Sequence, residues 1–155
     1  MPDDELLKRG LVGLARQLLM AIKLGREMGG EEYMQRLEEE NRKSGYETAP
    51  ILAHVAGLEE NETDATALGK ILDYIDSTFG CQWEYIEQSP SVFEKRIYSC
   101  PVAKTYRELP EICDRFGIAM TEEVLKRINP KSSLIMKESL PSGGKACHVR
   151  VEIKE

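Results

Sequence analysis

Four cysteines, Cys81, Cys100, Cys113 and Cys147, are the residues of this 155-residue chain best suited to chemistry. Cys100 ends an alternating segment and stands directly before Pro101, a residue suited to the first turn of a helix. At the N-cap of such a helix, unpaired N–H groups and the positive end of the dipole favour an anion. A thiol there loses its proton more easily and becomes a nucleophile or a metal ligand. The plainer alternative is a cysteine that fills a strand-to-helix corner. Cys113 and Cys147 gain meaning if the fold gathers them beside Cys100; each alone reads as a small buried hydrophobe. Asp114 follows Cys113 directly, and near a thiol pocket its carboxylate would position water as a general base. Arg115 would hold a substrate carboxylate or, more simply, form a surface ion pair.

As a metal motif the spacing is poor. The cysteines lie 19, 13 and 34 positions apart, with none of the paired C-x-x-C knuckles of structural zinc sites. A site with an open position, built from Cys100, Cys113 and Cys147 and holding zinc or iron, is still allowed by the chemistry. Cys147 and His148 are no chelating pair, because neighbours on a strand project to opposite faces, and His148 is placed in solvent. His54 reads as an ordinary packed or surface histidine. No Ser/His/Asp order, phosphate-binding glycine loop or dinucleotide fingerprint is present.

The elements that must position these residues fall into two halves. Leu7, Leu11, Leu14, Leu18 and Ile22 recur at helical spacing on a first helix ending near Gly29-Gly30. This stripe faces the core or a partner, and as a partner face it would pair two copies of the chain. A polar helix from Glu31 to Ser44 is expected to stop at Gly45, followed by a turn or two over 48–55 around Pro50. Leu68, Ile71, Leu72, Ile75 and Phe79 mark a third helix, capped by Asn61 or Thr63 and closed by Gly80. Beyond Gly80 the period becomes two: Cys81, Trp83 and Tyr85 alternate with polar residues, Ser89-Pro90-Ser91 turns the chain, and Val92 to Ser99 carries Phe93 and Ile97 on one side. Helices then carry Tyr106, Ile112, Cys113 and Phe116. A short helix capped by Thr121 stops at Asn129-Pro130. Ser132 to Leu140 and Ala146 to Lys154 form a second hairpin, with Cys147, Val149, Val151 and Ile153 on one face.

The resulting expectation is an α+β fold: N-terminal helices packed on a mostly antiparallel four-stranded sheet, with a helical insertion between two hairpins. Residues 1–155 read as one domain, with a helical part over 1–80 and the site-bearing part over 81–155. The net charge of −6 and pI near 5.1 argue against nucleic-acid binding. Residues 1–80 carry 9 basic and 16 acidic side chains, and runs such as Glu38-Glu39-Glu40 read as solvated helix faces. The apolar stretch from Leu11 to Leu24 is interrupted by Arg16, Gln17 and Lys23, so no membrane span is expected. The acidic start is unlike a secretory signal, and the expected compartment is the cytoplasm, where thiols stay free.

Four short motifs, Cys100-Pro101-Val102-Ala103, Ile112-Cys113-Asp114, Ile128-Asn129-Pro130 and Gly144-Lys145-Ala146-Cys147, resemble in their order the L-2-amino-thiazoline-4-carboxylic acid hydrolases. The chain is similar more distantly to 4-vinyl reductase domains, small-molecule-binding modules related to the Golgi transport-complex fold. The resemblance covers about 60 residues of the C-terminal half and implies cysteine-dependent opening of a thiazoline ring, with Cys100, Cys113, Asp114 and Cys147 at the matching positions. Cys147 is followed by His148-Val149, where an aromatic residue is usual, and the segment from Leu109 to Cys113 is short. The resulting expectation is a hydrolase-like protein acting on a small heterocyclic, amino-acid-derived substrate, with Cys100 as nucleophile. The alternative is a non-catalytic module that uses Cys100, Cys113 and Cys147 to hold a small molecule or a metal.

Overall fold

The computed structural model describes residues 4–155 and has the expected α+β architecture. Its first element, α1 (Asp4–Val55), consists of two helical arms that meet at a break at Gly30, where the sequence reading ends the first helix; the departures from that reading lie further on. With φ of 58° and ψ of −147°, Gly30 adopts a backbone conformation essentially reserved for glycine, so the kink falls where the Gly29-Gly30 pair places it. The expected stop at Gly45 does not occur. A Cβ on Gly45 would lie 2.2 Å from the carbonyl oxygen of Met120, so this glycine permits a close helix crossing and terminates nothing. Pro50 likewise lies inside α1, beyond the first turn.

The first arm of α1 buries only part of the expected stripe, Ile22 and partly Leu11. Ala15, Leu19 and Ile22 are buried, while Leu7, Leu14 and Leu18 stay largely exposed. Apolar residues occur nearly all round this segment, so spacing alone does not identify the buried stripe. No helix among the described residues is long and apolar enough to cross a membrane.

Helix α2, Ala65–Thr78, is capped by Asp64, one residue after the expected Thr63: its Oδ1 accepts the Ala67 N–H at 2.8 Å. Gly80, at φ of 71°, then turns the chain into the sheet. Strands β1 (Gln82–Gln88), β2 (Val92–Ser99), β3 (Ser132–Glu138) and β4 (Cys147–Ile153) form a wholly antiparallel sheet in the order β1-β2-β4-β3. Phe93 pairs with Val151, Lys95 with Val149 and Ile97 with Cys147, so these six residues share the face that meets the helices.

Between the hairpins lie helix α3 (Ala103–Tyr106), a π-helical segment (Ile112–Gly117) and helix α4 (Ile118–Ile128). The π segment runs directly into α4, so Thr121 caps nothing; its hydroxyl donates to the Gly117 carbonyl inside the helix at 2.8 Å. Asn129 ends α4 as expected, and its side-chain amide donates to the Thr63 carbonyl at 2.8 Å.

Two apolar clusters hold these layers together. One joins α2 and α4 to the sheet through Leu68, Ile71, Phe93, Leu125 and Val151, all essentially inaccessible to solvent. The other joins both arms of α1 to the segment after β2 through Leu19, Met34, Val102, Ile112 and Phe116. Burying five side chains of this size contributes on the order of 10 kcal/mol per cluster before the entropy of ordering them is subtracted.

Candidate functional site

The two clusters do not close completely against each other. Between them remains a cavity of about 400 Å³, lined by members of both: Leu72, Ile97 and Val149 from one, Ile22, Ile112 and Phe116 from the other. The π segment supplies four lining residues, Ile112, Cys113, Phe116 and Gly117. A π turn is wider than an α turn and re-aims the side chains around it, which is how a short insertion between hairpins comes to serve one wall.

All four cysteines line this cavity. The antiparallel pairing of β2 with β4 sets Cys147 opposite Ile97, at the end of the strand that leads to Cys100. Cys81 stands one residue before Gln82, which pairs with Ser99, so Cys81 and Cys100 extend the same β1–β2 ladder by one position. Cys113 arrives from the helical side. Each of the four is partly buried and free of disulfide bonding.

Their protonation differs. The Cys81 thiol first, then the N–H groups of Val102 and Ala103, lower the Cys100 pKa to about 7, against burial and the negative charge of Asp76. The Cys100 sulfur and burial hold the Cys81 thiol protonated, well above its ordinary range. Burial first, then the charge of Cys100, pushes Cys113 up to about 12. Burial likewise brings Cys147 to about 11, partly relieved by the Leu140 N–H, which donates to its sulfur at 3.3 Å. Near neutral pH Cys100 is therefore the one of the four that ionises appreciably, while the other three stay thiols.

The cause of that thiolate is not the one expected. Cys100 is not an N-cap: α3 starts three residues later, has only four residues, and is preceded by Val102 at the cap. A neighbouring thiol and two N–H groups of the turn do the work assigned to a helix dipole.

Asp114 lies outside the cavity wall. Its Oδ1 accepts the Ser139 hydroxyl at 2.6 Å and its Oδ2 accepts the Ser142 hydroxyl, so it fastens the β3–β4 loop to the π segment. Arg115 makes ion pairs with Glu31 at 2.7 Å, Glu38 at 2.6 Å and Glu111 at 3.3 Å, and thus ties the second arm of α1 to the insertion. His148 is not simply in solvent: on the outer face of the sheet it contacts Glu94, which also pairs with Lys137 and Arg150. His54 is exposed on α1. Among the described residues no group of three or more His, Cys, Asp or Glu side chains is arranged to hold a metal ion, so Cys100, Cys113 and Cys147 share a cavity without forming a three-thiolate site. A wider surface hollow of about 570 Å³ beside Gly29 and Tyr33 carries no cysteine.

The lining also includes Cys81, read from the sequence as a free cysteine but not assigned to the site, and Asp76 and Lys95, which the sequence reading did not single out. Lys95 lies between Phe93 and Ile97 at two-residue spacing, which marks an inward position. Asp76 follows Leu72 by four residues and shares its helix face. Both signals were present in the pattern, carried by charged residue types that the apolar faces did not call for.

Comparison with known proteins bears on the fold. No family model matches the chain, so the motif resemblance to the amino-thiazoline hydrolases has no support from that side, and no curated protein matches it either. Solved structures do match, two of them as follows. A trafficking protein particle complex subunit 3 from Naegleria fowleri, covalently bound to palmitic acid, aligns with a TM-score of 0.64 at 14% identity over 96% of this chain and 97% of its own. The phenol-responsive sensory domain of the transcription activator PoxR, solved with phenol, aligns with a TM-score of 0.53 at 11% identity over 94% of this chain and 74% of its own. At such identities the likeness is one of fold.

Proposed function

We propose that this chain is a small-molecule-binding module that takes a mainly apolar molecule into the cavity between sheet and helices and presents the Cys100 thiolate to it. The observation that carries the reading is the meeting of an apolar hollow of about 400 Å³ with a thiol whose pKa is lowered to about 7. Hollows of this size and lining suit small organic ligands, and a thiolate is the reactive form of cysteine. One fold neighbour was solved covalently bound to palmitic acid and the other with phenol, molecules with a large apolar part, which supports the same reading.

Hydrolysis of a cyclic C–N bond is the second reading, favoured by the same thiolate. Ring opening of an amidine-like substrate needs attack at carbon, a proton for the departing nitrogen and a stabilised tetrahedral state. Cys100 supplies the first; Asp114, its carboxylate bound by two serine hydroxyls outside the wall, offers little for the second.

Intact-protein mass spectrometry after incubation with a decanoyl thioester, paired with thermal shifts in n-decanol, tests the leading reading. Wild-type protein is expected to gain one acyl group and Cys100→Ser none, while n-decanol raises the melting temperature of both. Equal acylation of both proteins, or no stabilisation by the alcohol, overturns it. Release of a ring-opened product from 2-amino-thiazoline-4-carboxylate by wild type and not by Cys100→Ser would instead favour the hydrolase.

A further inference from the structure

Three charged side chains meet at one end of the cavity. The Lys95 side chain is completely buried, with Nζ 2.7 Å from Asp73 Oδ1, 2.6 Å from Asp76 Oδ2 and 4.4 Å from the centre of the Trp83 ring. An ammonium has three protons, and here two point at carboxylates while the remaining side rests on an aromatic face. Lys95 has nothing left for a ligand. Asp73 is equally committed, because its second oxygen accepts the Tyr85 hydroxyl at 2.6 Å.

Asp76 is different. It lines the cavity, its Oδ2 is held by Lys95, and its Oδ1 has no hydrogen-bond partner among the described residues. One cation faces two carboxylates, so the trio is one positive charge short, and the Asp76 side chain keeps 21% of its surface accessible, on the cavity that it lines. Burial raises the Asp76 pKa despite the lysine. A carboxylate oxygen in that position is stabilised by a donor brought to it from the cavity. Among the described residues, Asp76 and Lys95 are the only carboxylate and ammonium groups on the wall, and the Cys100 thiolate adds a second negative charge close enough to interact with Asp76.

We infer that the cavity selects molecules with an apolar body and a hydrogen-bond donor at one end, a hydroxyl or a protonated amine, which Asp76 receives while Lys95 holds Asp76 in place. A carboxylate at that end is rejected: no free cation among the described residues faces it, and Asp76 and Cys100 repel it. The inference rests on the ligand-binding reading above and names the ligand class of that same site.

The test is a ligand series of constant body, n-decanol, n-decylamine and n-decanoate, titrated at neutral pH into the full wild-type chain and into Asp76→Asn. Trp83, the one tryptophan, packs on Lys95 and reports binding by its fluorescence. In wild type the alcohol and the amine are expected to bind about 10- to 100-fold more tightly than decanoate, the range of a hydrogen bond to a charged group. In Asp76→Asn the ratio should fall to within about threefold, mainly through tighter decanoate binding. Decanoate binding wild type as tightly as decanol, or a ratio unchanged in Asp76→Asn, overturns the inference and leaves ligand binding standing. Failure of all three compounds to bind wild type removes the ligand-binding reading itself and the inference with it. Because each ratio is measured within one protein, a general loss of stability in the variant does not imitate the expected result.

Discussion

Cys81 and Cys100 extend the β1–β2 ladder one position beyond its last pair, Gln82 with Ser99. The Cys81 thiol is the largest of the influences that lower the Cys100 pKa, ahead of the two backbone N–H groups. Removing it should therefore return Cys100 toward an ordinary thiol. In Cys81→Ala, the pH dependence of Cys100 alkylation by iodoacetamide should shift upward from a midpoint near 7, toward the usual value of about 8.5. A midpoint unchanged in Cys81→Ala would show that the backbone N–H groups alone hold the thiolate.

The four thiols should also react in a fixed order. At about pH 7.5 a group with a pKa of 7 is roughly three-quarters thiolate, whereas one at 11 is ionised only to about 3 parts in 10,000. With Cys147 near 11, Cys113 near 12 and Cys81 higher still, a limiting amount of iodoacetamide should mark Cys100 almost exclusively. Peptide mapping of the alkylated protein reads the order directly; early labelling of Cys113 or Cys147 would contradict it.

Much of this site was legible in the sequence, and the parts that were not share a physical cause. The alternation of Cys147, Val149 and Val151 fixes which way Cys147 points, and the approach of Cys100 to Cys147 needs only that β2 and β4 be antiparallel neighbours, as they are. Local periodicity reports a face, not its neighbour. It therefore could not show that Gly45 meets the backbone of Met120, nor that Asp114 is claimed by two serines of a distant loop. The part played by Cys81 was hidden because its partner is another thiol across the ladder, a relationship set by strand register. Lys95 and Asp76 occupy inward positions in both periodicities, and a charge at an inward position was the signal to follow.

Gly45 offers a test of the helix crossing. Alanine in an α-helix is favoured over glycine by about 1 kcal/mol, so on propensity alone Gly45→Ala would stabilise α1. The new methyl, however, would stand 2.2 Å from a carbonyl oxygen of α4, and two packed backbones cannot separate without loosening the layer they hold. Overpacking of this kind costs about 1–3 kcal/mol, more where backbone must move, and the collision should win. Gly13, on the same helix, is the control, because a Cβ added there would meet nothing within 4 Å. Gly13→Ala should be neutral or stabilising by up to about 1 kcal/mol. Urea denaturation of the two variants beside wild type separates them by sign.

Glu94 should make the outer face of the sheet sensitive to acid. It accepts from Lys137 at 2.7 Å and also contacts Arg150 and His148, and the Lys137 bond, first among these, holds its pKa at about 2 against an ordinary 4.5. A carboxyl whose folded-state pKa is depressed contributes stability above its unfolded-state value and loses that contribution as the pH falls toward the folded value. The window here runs from about 4.5 down to about 2. The full shift corresponds to about 3 kcal/mol, but Lys137 is itself 43% exposed and solvent screens the pair, so about 1–2 kcal/mol is expected. Glu94→Gln should lower stability by that amount at neutral pH and converge with wild type only at about pH 2 and below, where Glu94 becomes protonated in the folded state as well. Thermal denaturation across this range measures the convergence. A constant difference between the two proteins at every pH would assign the role of Glu94 to packing and its amide-sized shape, with no electrostatic share.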